Sequence, residues 1–341
     1  MQYELRQQVI ETQRPTFTPL IKRYGNRPAT RYEEASVAIQ PTENFHYRPL
    51  WDPQHEIYDE TYSQLRLSDP DAFTDPRQYY YTPYVSNRAA LHEAFGKTLD
   101  YVTDRDLMAK LPDGWKVFIG EVLLPLRHYE AGAQLVLING ARFAYGTTVE
   151  QCLSYAAFDR IGNAQILSRI GIAFAGNTDA ALGPAKQFWL DAPGLQGLRK
   201  LVEETLVEPD WAIGLWALDL VDQLLFPLLT SNLDEAALLG GAGAYSLLTQ
   251  HLAAWFTDNR RWVDALIKAW LTDPEHGEAN RQILQRATAT YLPQAVDAMT
   301  ALAQSIDKQV HADAVAAVGA GADRLRERLG ALGVATNGDQ S

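Results

Sequence analysis

The pattern of hydrophobic and polar positions changes near residue 85 of this 341-residue chain. Beyond that point apolar residues recur at intervals of three and four, beginning with Leu91, Phe95 and Leu99, which is the spacing of one helix face. The same spacing predicts helices over residues 115–145, 149–174, 185–207, 209–229, 234–256, 258–272 and 275–305. Strand-like alternation is absent from the sequence. The body is therefore predicted to be all-α, with helices long enough for a bundle.

Capping and breaking residues set the expected ends of these helices. Ser86 is the expected N-cap of the first body helix. Pro125 should kink the first of the long helices, and Gly146 should end it. Thr147 or Thr148 is then expected to cap the helix that follows.

The first 84 residues form a separate, extended arm in this interpretation. Nine of the 17 prolines and ten of the 16 tyrosines lie there, without a sustained helical period apart from a candidate short helix over residues 53–64. Proline removes backbone donors, whereas tyrosine offers a large contact surface with a polar tip. We therefore expect the arm to lie over another surface, either the chain's own helices or a partner subunit. Residues 85–310 then form the body, and residues 311–341 form a marginal last helix and a flexible tail.

Composition argues against several classes of protein. The net charge of −12 disfavours a nucleic-acid surface. A single cysteine, Cys152, permits neither an intrachain disulfide nor a cysteine-based zinc site. The charged N-terminal residues predict no signal peptide, and hence a cytoplasmic protein. Residues 211–229 are apolar and long enough to span a membrane, but Asp219 and Asp222 in their middle favour a buried helix and no membrane contact.

Long bundle helices raise the question of a carboxylate-bridged di-metal site. Such a site takes a Glu from each of two helices and a Glu-x-x-His from each of two others, since that spacing puts both ligands on one helix face. Of the seven histidines only His46 follows a glutamate, Glu43, by three residues, and that pair lies in the arm. The sequence therefore predicts no metal ligands and no catalytic residue in this chain.

Other candidate groups have structural interpretations that we prefer. Cys152 lies within a predicted helix and is expected to be a core thiol rather than a nucleophile. His128 and Glu130 are too close along a helix to face each other, which favours a structural hydrogen bond over an acid–base pair. The tyrosines at 79–81 could stack a ligand, but packing at an interface is the simpler interpretation.

Three stretches stand out, in this order, along the chain. The first comprises Arg48-Pro-Leu-Trp-Asp-Pro53 and Asp75-Pro-Arg-Gln-Tyr-Tyr80, followed by Tyr84. The second is Glu208-Pro-Asp-Trp-Ala-Ile-Gly-Leu-Trp-Ala-Leu-Asp-Leu-Val221, and the third is Asp258-Asn-Arg-Arg-Trp262 with the helix to Trp270. Together they resemble the β subunit of the hydroxylase of bacterial multicomponent diiron monooxygenases, which act on toluene, phenol, isoprene and small alkenes.

The resemblance implies a ferritin-like helical bundle related to the catalytic α subunit of those enzymes. In the α subunit two stretches supply the iron ligands. Here the corresponding positions are Arg160 and Asn163 in one stretch and Asp258 and Arg261 in the other. An arginine opposes a cation, so the resemblance implies a degenerate site without metal. Arg160 is then expected to face Asp258 or a neighbouring carboxylate such as Glu130.

The resemblance further implies a non-catalytic, structural subunit within an (αβγ)2 hydroxylase. The diiron centre is expected in the catalytic α subunit, and a small γ subunit and a second β subunit complete the assembly. Electrons are expected from NADH through a reductase and, in most such systems, a ferredoxin, together with a coupling protein. The expected reaction is O2-dependent epoxidation of small alkenes, which we slightly prefer, or hydroxylation of aromatics.

Four aromatic residues of the arm are the predicted contacts with the α subunit: Trp51, Tyr79, Tyr80 and Tyr84. Two alternatives stay open at this point. A stand-alone ferritin-like diiron oxidase with unusual ligands would bind iron by itself. An unrelated all-helical scaffold would have no diiron partner.

Overall fold

The computed structural model describes residues 18–41, 50 and 52–335. Their α-helices are α1 (Thr18–Tyr24), α2 (Arg31–Ser36), α3 (Tyr81–Asp104), α4 (Asp113–Phe118), α5 (Leu126–Phe143), α6 (Thr147–Phe174), α7 (Leu182–Asp191), α8 (Pro193–Leu206), α9 (Trp211–Pro227), α10 (Leu233–Leu239), α11 (Gly243–Leu271), α12 (Gly277–Asp307) and α13 (Ala314–Ala331). Two π-helical segments, Ile119–Leu123 and Leu228–Asn232, precede α5 and follow α9. No strand occurs in the part of the chain that the structure describes. The all-α prediction is confirmed.

Helices α5, α6, α9 and α11 form the central bundle. α5 packs along α6 and α9, and α11 contacts α6 and α9. α8, α12 and α13 also pack against α9, whereas α3 lies on α6 and α11. The largest fully buried side chains, Trp216, Trp255 and Trp262, come from α9 and α11. Burying such large apolar surfaces is the main favourable term in holding the bundle together.

Local sequence explains several helix ends. The Asp210 carboxylate accepts a hydrogen bond at 3.0 Å from the backbone N–H two residues further on and so caps α9, where a helix was predicted to open. Pro125 separates α5 from the π-helical segment Ile119–Leu123 instead of kinking one continuous helix. Gly146 has φ of +105° just before α6, and a Cβ there would lie 2.8 Å from the Cβ of Pro70. Only glycine fits that position.

The first body helix, α3, begins earlier than predicted. Tyr81 is its first residue and Tyr80 its N-cap, so the prediction that Ser86 caps the helix was wrong. The added turn places Tyr84 on the buried face of α3, and such tertiary burial stabilises helical turns that local propensity leaves marginal. The predicted short helix over 53–64 is absent, and that stretch forms turns.

Three other predicted segments also differ. Residues 234–272 were expected to form two helices with a break at 257, but α11 continues through that position without interruption. Residues 185–207 are divided, because Pro193 begins a separate helix, and proline suits a first turn but not a helix interior. α13 is not marginal, since its 18 residues bury an apolar face against α9 and α12.

The most apolar segment, Trp211–Leu239, is long and apolar enough to cross a membrane, but 89% of its most apolar window is buried inside the protein. Its two mid-helix acids are paired. Asp219 contacts Arg260, and Asp222 contacts Arg160. Pairing is what permits a carboxylate inside a core. The segment is therefore a core helix, as predicted.

The described part of the arm lies on the chain's own bundle. The backbone N–H of Gln64 donates to Asp210 at 2.7 Å. The ring of Tyr62 stacks on that of Phe143, with centroids 4.5 Å apart. Two surfaces were considered for the arm. Tyr62 and Gln64 use the chain's own helices, which cover the ring of the first and accept the N–H of the second.

Asn280 of α12 is a buried anchor for the arm. Its side chain accepts a hydrogen bond from the Arg66 N–H at 3.0 Å and donates to the Arg66 and Trp270 carbonyls at 2.8 Å each. Asn280→Ala leaves these backbone groups without partners, so it is expected to lower the free energy of unfolding by about 2–4 kcal/mol. Urea unfolding checks this, with the exposed Thr290→Ala on the same helix as control, expected to stay within about 0.5 kcal/mol. Equal losses in the two variants would contradict the anchor role.

Candidate functional site

A charged cluster lies at the centre of the bundle. Arg160 of α6 is only 1% exposed. Its guanidinium lies 3.2 Å from the carboxylate of Glu130 on α5 and is in direct contact with Asp222 on α9. The hydroxyl of Tyr129 donates to the other oxygen of Asp222 at 2.6 Å. We call Tyr129, Glu130, Arg160 and Asp222 the central cluster.

Aromatic rings enclose the guanidinium on its other sides. The ring centroids of Trp255, Phe226 and Tyr129 lie 4.9, 5.6 and 5.8 Å from its carbon. Such rings attract a desolvated cation through their negative faces. Nε of Arg160 has no hydrogen-bond partner among the described residues, so the rings supply part of the stabilisation that hydrogen bonds leave out.

The central cluster holds one cation for two carboxylates. Burial raises the pKa of Glu130 to about 7, with Arg160 opposing the rise. Burial also raises the pKa of Asp222, although Arg160 and the Tyr129 hydroxyl both favour its charged form. Burial alone would lower the pKa of Arg160, but the two carboxylates outweigh it and keep the guanidinium charged. Both carboxylates therefore depend on the one guanidinium for stabilisation of their charged forms.

A second cluster joins α3 to the bundle. Asp159, which is buried, accepts hydrogen bonds from Arg88 at 2.6 and 2.7 Å, from the Tyr84 hydroxyl at 2.9 Å and from the Trp255 indole at 3.0 Å. Arg88 also donates to Asp258 of α11 at 2.7 Å. We call these five residues the Asp159 cluster. Since Trp255 contacts both Asp159 and the Arg160 guanidinium, the two clusters adjoin.

The end of the arm closes the Asp159 cluster from outside. Arg77 pairs with Asp75 through two hydrogen bonds of 3.0 Å, and both are buried. The guanidinium of Arg77 also lies 3.5 Å from Asp258 and 4.0 Å from the sulfur of Cys152. Burial raises the pKa of the Cys152 thiol well above its ordinary value. It is a core thiol, as predicted, because the reactive form of cysteine is the thiolate.

The structure separates the four degenerate ligand positions. Arg160 reaches one of its predicted partners, Glu130, and Asn163 is buried one turn further along α6. The prediction that Arg160 faces Asp258 was wrong, because Asp258 pairs with arginines of α3 and of the arm. Arg261 is exposed on α11 and does not face the bundle centre.

The expected contact between Arg160 and Asp258 is absent because Asp258 lies on a different face of α11. The residues of α11 that face the core at this level are Trp255, Asn259 and Trp262, at spacings of four and three. Asp258 lies one position off this stripe. The acid that does face Arg160, Asp222, carried its own signal in the sequence, because a carboxylate within an apolar helix requires a buried cationic partner. That signal does not say which arginine is the partner.

The four predicted interface residues lie in different surroundings. Trp51 is outside the described residues, and Tyr80 is half-buried. The Tyr79 hydroxyl lies 3.4 Å from both oxygens of Asp258, and the Tyr84 ring stacks on Tyr155 at 4.3 Å. The interface assignment of these residues stays a prediction. Tyr79 and Tyr84 were expected to contact a partner subunit. In this chain Tyr79 contacts Asp258 and Tyr84 contacts Tyr155.

The central cluster does not fit a di-metal centre. α5 and α9 each offer one carboxylate, but α6 offers Arg160 and Asn163 in place of Glu-x-x-His. The only pair of Glu-x-x-His spacing, Glu43 and His46, lies outside the described residues. Within the described ranges no group of three or more His, Cys, Asp or Glu is placed to hold a metal ion. A guanidinium at the centre would also repel a divalent cation.

Comparisons with known proteins place the chain among oxygenase components. Residues 51–274 match the family described as methane/phenol/alkene hydroxylase. The oxygenase component of phenol 2-monooxygenase from Pseudomonas sp. (strain CF600) is 39% identical over 305 residues, which cover 89% of this chain and 91% of that protein. The hydroxylase component small subunit of propane 2-monooxygenase from Rhodococcus jostii (strain RHA1) is 26% identical over 338 residues, 93% of this chain and 88% of that one. The crystal structure of xenon-pressurized phenol hydroxylase from Pseudomonas sp. OX1 contains a chain that is 36% identical, with a TM-score of 0.87 and coverage of 95% of this chain and 96% of that chain.

Proposed function

The chain belongs to the methane/phenol/alkene hydroxylase family as a hydroxylase β subunit, and we propose that it serves there as a structural subunit without a catalytic centre. The observation that carries the proposal is the position of Arg160, whose guanidinium fills the bundle centre between Glu130 and Asp222. The cavity that touches Arg160 holds only about 10 Å³. A water molecule barely fits such a volume, so the centre has no room for a substrate.

The catalytic centre is proposed to lie in the α subunit of the same hydroxylase, where a diiron site would supply the O2-activating redox chemistry. A small γ subunit and a second β subunit complete the proposed cytoplasmic (αβγ)2 assembly. NADH-derived electrons would reach it through a reductase and, as in most such systems, a ferredoxin, together with a coupling protein. The phenol 2-monooxygenase component at 39% identity supports hydroxylation of a phenol over epoxidation of a small alkene.

The buried charges of this chain suit a structural role. Asp159 of α6 fixes Arg88 and Tyr84 of α3 and Trp255 of α11 in one geometry. Arg160 holds two further helices in place, α5 through Glu130 and α9 through Asp222. Such networks favour one packing of the bundle over its near alternatives, because any other packing leaves a buried charge unpaired. A single rigid packing is what a subunit needs in order to present a fixed surface to its partners.

Both alternative functions are disfavoured, each by a different observation. A stand-alone diiron oxidase requires ligands that the described residues do not place together. An unrelated scaffold is set aside by the match to the hydroxylase family over residues 51–274.

The chain purified alone is expected to hold far less than one iron atom per molecule and to oxidise no phenol. Co-expression with the α subunit of the same hydroxylase is expected to give a stable complex whose iron follows the α subunit. Metal analysis by mass spectrometry of both preparations, together with O2 uptake on phenol, tests the proposal. About two iron atoms per isolated chain would overturn it, as would an α subunit that assembles and works equally well without this chain.

A further inference from the structure

A groove of about 740 Å³ lies between α7, the start of α8, the end of α12 and the π-helical segment Ile119–Leu123. Small-molecule sites in proteins have volumes of roughly 300–1,000 Å³. Two other cavities in the described part of the chain hold only about 10 and 30 Å³. The groove therefore has the size of a ligand site, and its lining is separate from the central cluster and from the Asp159 cluster.

The inner wall of the groove is apolar and comes from four elements. Its apolar side chains are those of Val122 in the π-helical segment, Phe188 in α7, Leu195 in α8 and Leu302 in α12. Val122, Leu195 and Leu302 are each at most 2% exposed, so they form a fixed base. Phe188 is half-buried and offers its ring to the groove. A flat aromatic ring suits such a wall, because it buries a large area and can stack on Phe188.

Two groups of opposite charge line the same groove without pairing. The carboxylate of Glu121 accepts a hydrogen bond from the side-chain amide of Gln309 at 3.1 Å. Lys308, the neighbour of Gln309 in the sequence, is exposed and has no ion-pair partner among the described residues. A second carboxylate, that of Asp191, accepts from the side-chain amide of Gln187. The groove thus presents both acceptors and a strong donor to a ligand.

These charges disfavour an ionic ligand of either sign. An anion would meet the carboxylates of Glu121 and Asp191. A cation would meet the ammonium of Lys308 and the positive end of α8, which begins at the groove with Pro193 and has no side-chain N-cap. A neutral hydroxyl avoids both costs, because it donates to a carboxylate and accepts from an ammonium. The groove therefore suits a neutral, flat, apolar molecule that carries a hydroxyl group.

We propose that this groove, which we name the α7–α12 groove, binds phenols, with the ring on the apolar wall and the hydroxyl between Glu121 and Lys308. Phenol combines the two features that the lining selects. A bound phenol contacts α7, α8 and α12 together, so binding stabilises the folded chain. The groove holds the phenol in this subunit without transforming it.

The choice of a phenol rests on the proposed function, in which a phenol is the substrate of the assembled hydroxylase. The two claims nevertheless fail separately. Recovery of a complex with the α subunit tests the proposed function, whereas binding of phenol to this chain alone tests the α7–α12 groove. A chain that assembles with the α subunit but binds no phenol would leave the first claim intact and remove the second.

The test measures binding of phenol to the isolated full chain by isothermal titration calorimetry and saturation-transfer NMR. Phenol is expected to bind with a dissociation constant of about 1 mM, a value within reach of so small a ligand. Anisole keeps the ring but has no hydroxyl proton to donate. It should bind about 10-fold more weakly, because a hydrogen bond to a charged group is lost. Glu121→Met removes the acceptor, so this variant should bind phenol no better than anisole.

Ala192→Trp is the blocking variant, because Ala192 lines the groove at the start of α8 and an indole there occupies the cavity. It should weaken phenol binding at least about 10-fold. Val207→Trp is the matched control, since Val207 follows the other end of α8 and is 79% exposed. It should bind phenol like the wild type, and unchanged thermal unfolding shows that each variant folds.

Three results would each overturn the proposal. The first is a wild-type chain that binds no phenol at about 10 mM. The second is equal binding of phenol and anisole, which would make the groove a general apolar surface of the kind that a partner subunit covers. The third is an Ala192→Trp chain that binds phenol like the wild type.

Discussion

Arg160→Met is expected to lower the free energy of unfolding by about 3–5 kcal/mol at pH 8. The substitution removes the cation of the central cluster and leaves Glu130 and Asp222 buried without a counter-charge. Methionine is flexible and similar in length, so it fills the space and the loss reports mainly on charge rather than on a cavity. Urea unfolding followed by tryptophan fluorescence measures the effect.

The loss should depend on pH in a defined direction. Burial already raises the pKa of Glu130 to about 7 and raises that of Asp222 while Arg160 is present. Without Arg160 both pKa values rise further. A group whose folded pKa is raised contributes stability below its unfolded pKa and loses that stability as the pH rises through the folded pKa. The deficit of Arg160→Met is therefore expected to be smallest near pH 5 and largest near pH 8.

Two further variants separate buried charge from other causes. The triple variant Arg160→Met, Glu130→Gln, Asp222→Asn removes all charges of the central cluster at similar volume and is expected to recover most of the stability. Arg169→Met, at an exposed position of the same helix, is expected to stay within about 0.5 kcal/mol of the wild type. A deficit equal at pH 5 and pH 8, or a triple variant no better than the single one, would show that buried charge is not the cause.

Asp159→Ala is expected to cost a similar amount, about 3–5 kcal/mol. The aspartate accepts hydrogen bonds from Arg88, Tyr84 and Trp255, and all three donors are buried once it is gone. Each unsatisfied buried donor adds to the loss. Amide hydrogen exchange is expected to rise most in the first turns of α3, because Arg88 and Tyr84 fasten that helix to α6.

Asp258→Ala is the matched control for Asp159→Ala, since Asp258 also accepts from Arg88. Its side chain is 19% exposed, whereas that of Asp159 is 1% exposed. Water can replace the acceptor at the more exposed position, so Asp258→Ala is expected to cost only about 1 kcal/mol. Equal losses from the two substitutions would contradict the role given to Asp159.

Features that depend on local pattern could be predicted from the sequence. α6 was predicted over 149–174 and spans Thr147–Phe174, and α12 was predicted over 275–305 and spans Gly277–Asp307. The helix predicted over 209–229 begins at Trp211, where the short carboxylate of Asp210 acts as the N-cap. The interpretation of the apolar residues that follow as a core helix also held, because two acids in mid-helix are costly in a membrane.

Features that depend on distant contacts could not be predicted. The extra turn of α3 depends on Tyr84 stacking against Tyr155 of another helix. α13 has a weak pattern of its own and is held by its packing on α9 and α12. The contact between Arg160 and Asp222 joins residues 62 positions apart. The sequence indicates that Asp222 needs a cation, but Arg88, Arg160 and Arg260 were equally available until the bundle placed them.

The central cluster would make a metal site hard to build in this bundle by single substitutions. Arg160→Glu, taken alone, would gather three carboxylates in a dry core without a cation. Asn163→His, taken alone, would add a ligand beside a guanidinium that repels metal. Each single step toward a metal-binding bundle would lower stability before a complete ligand set exists to offset the loss, and chains of marginal stability are removed by selection. A sequence with arginine at this position can therefore change its surface far more readily than it can gain a metal centre.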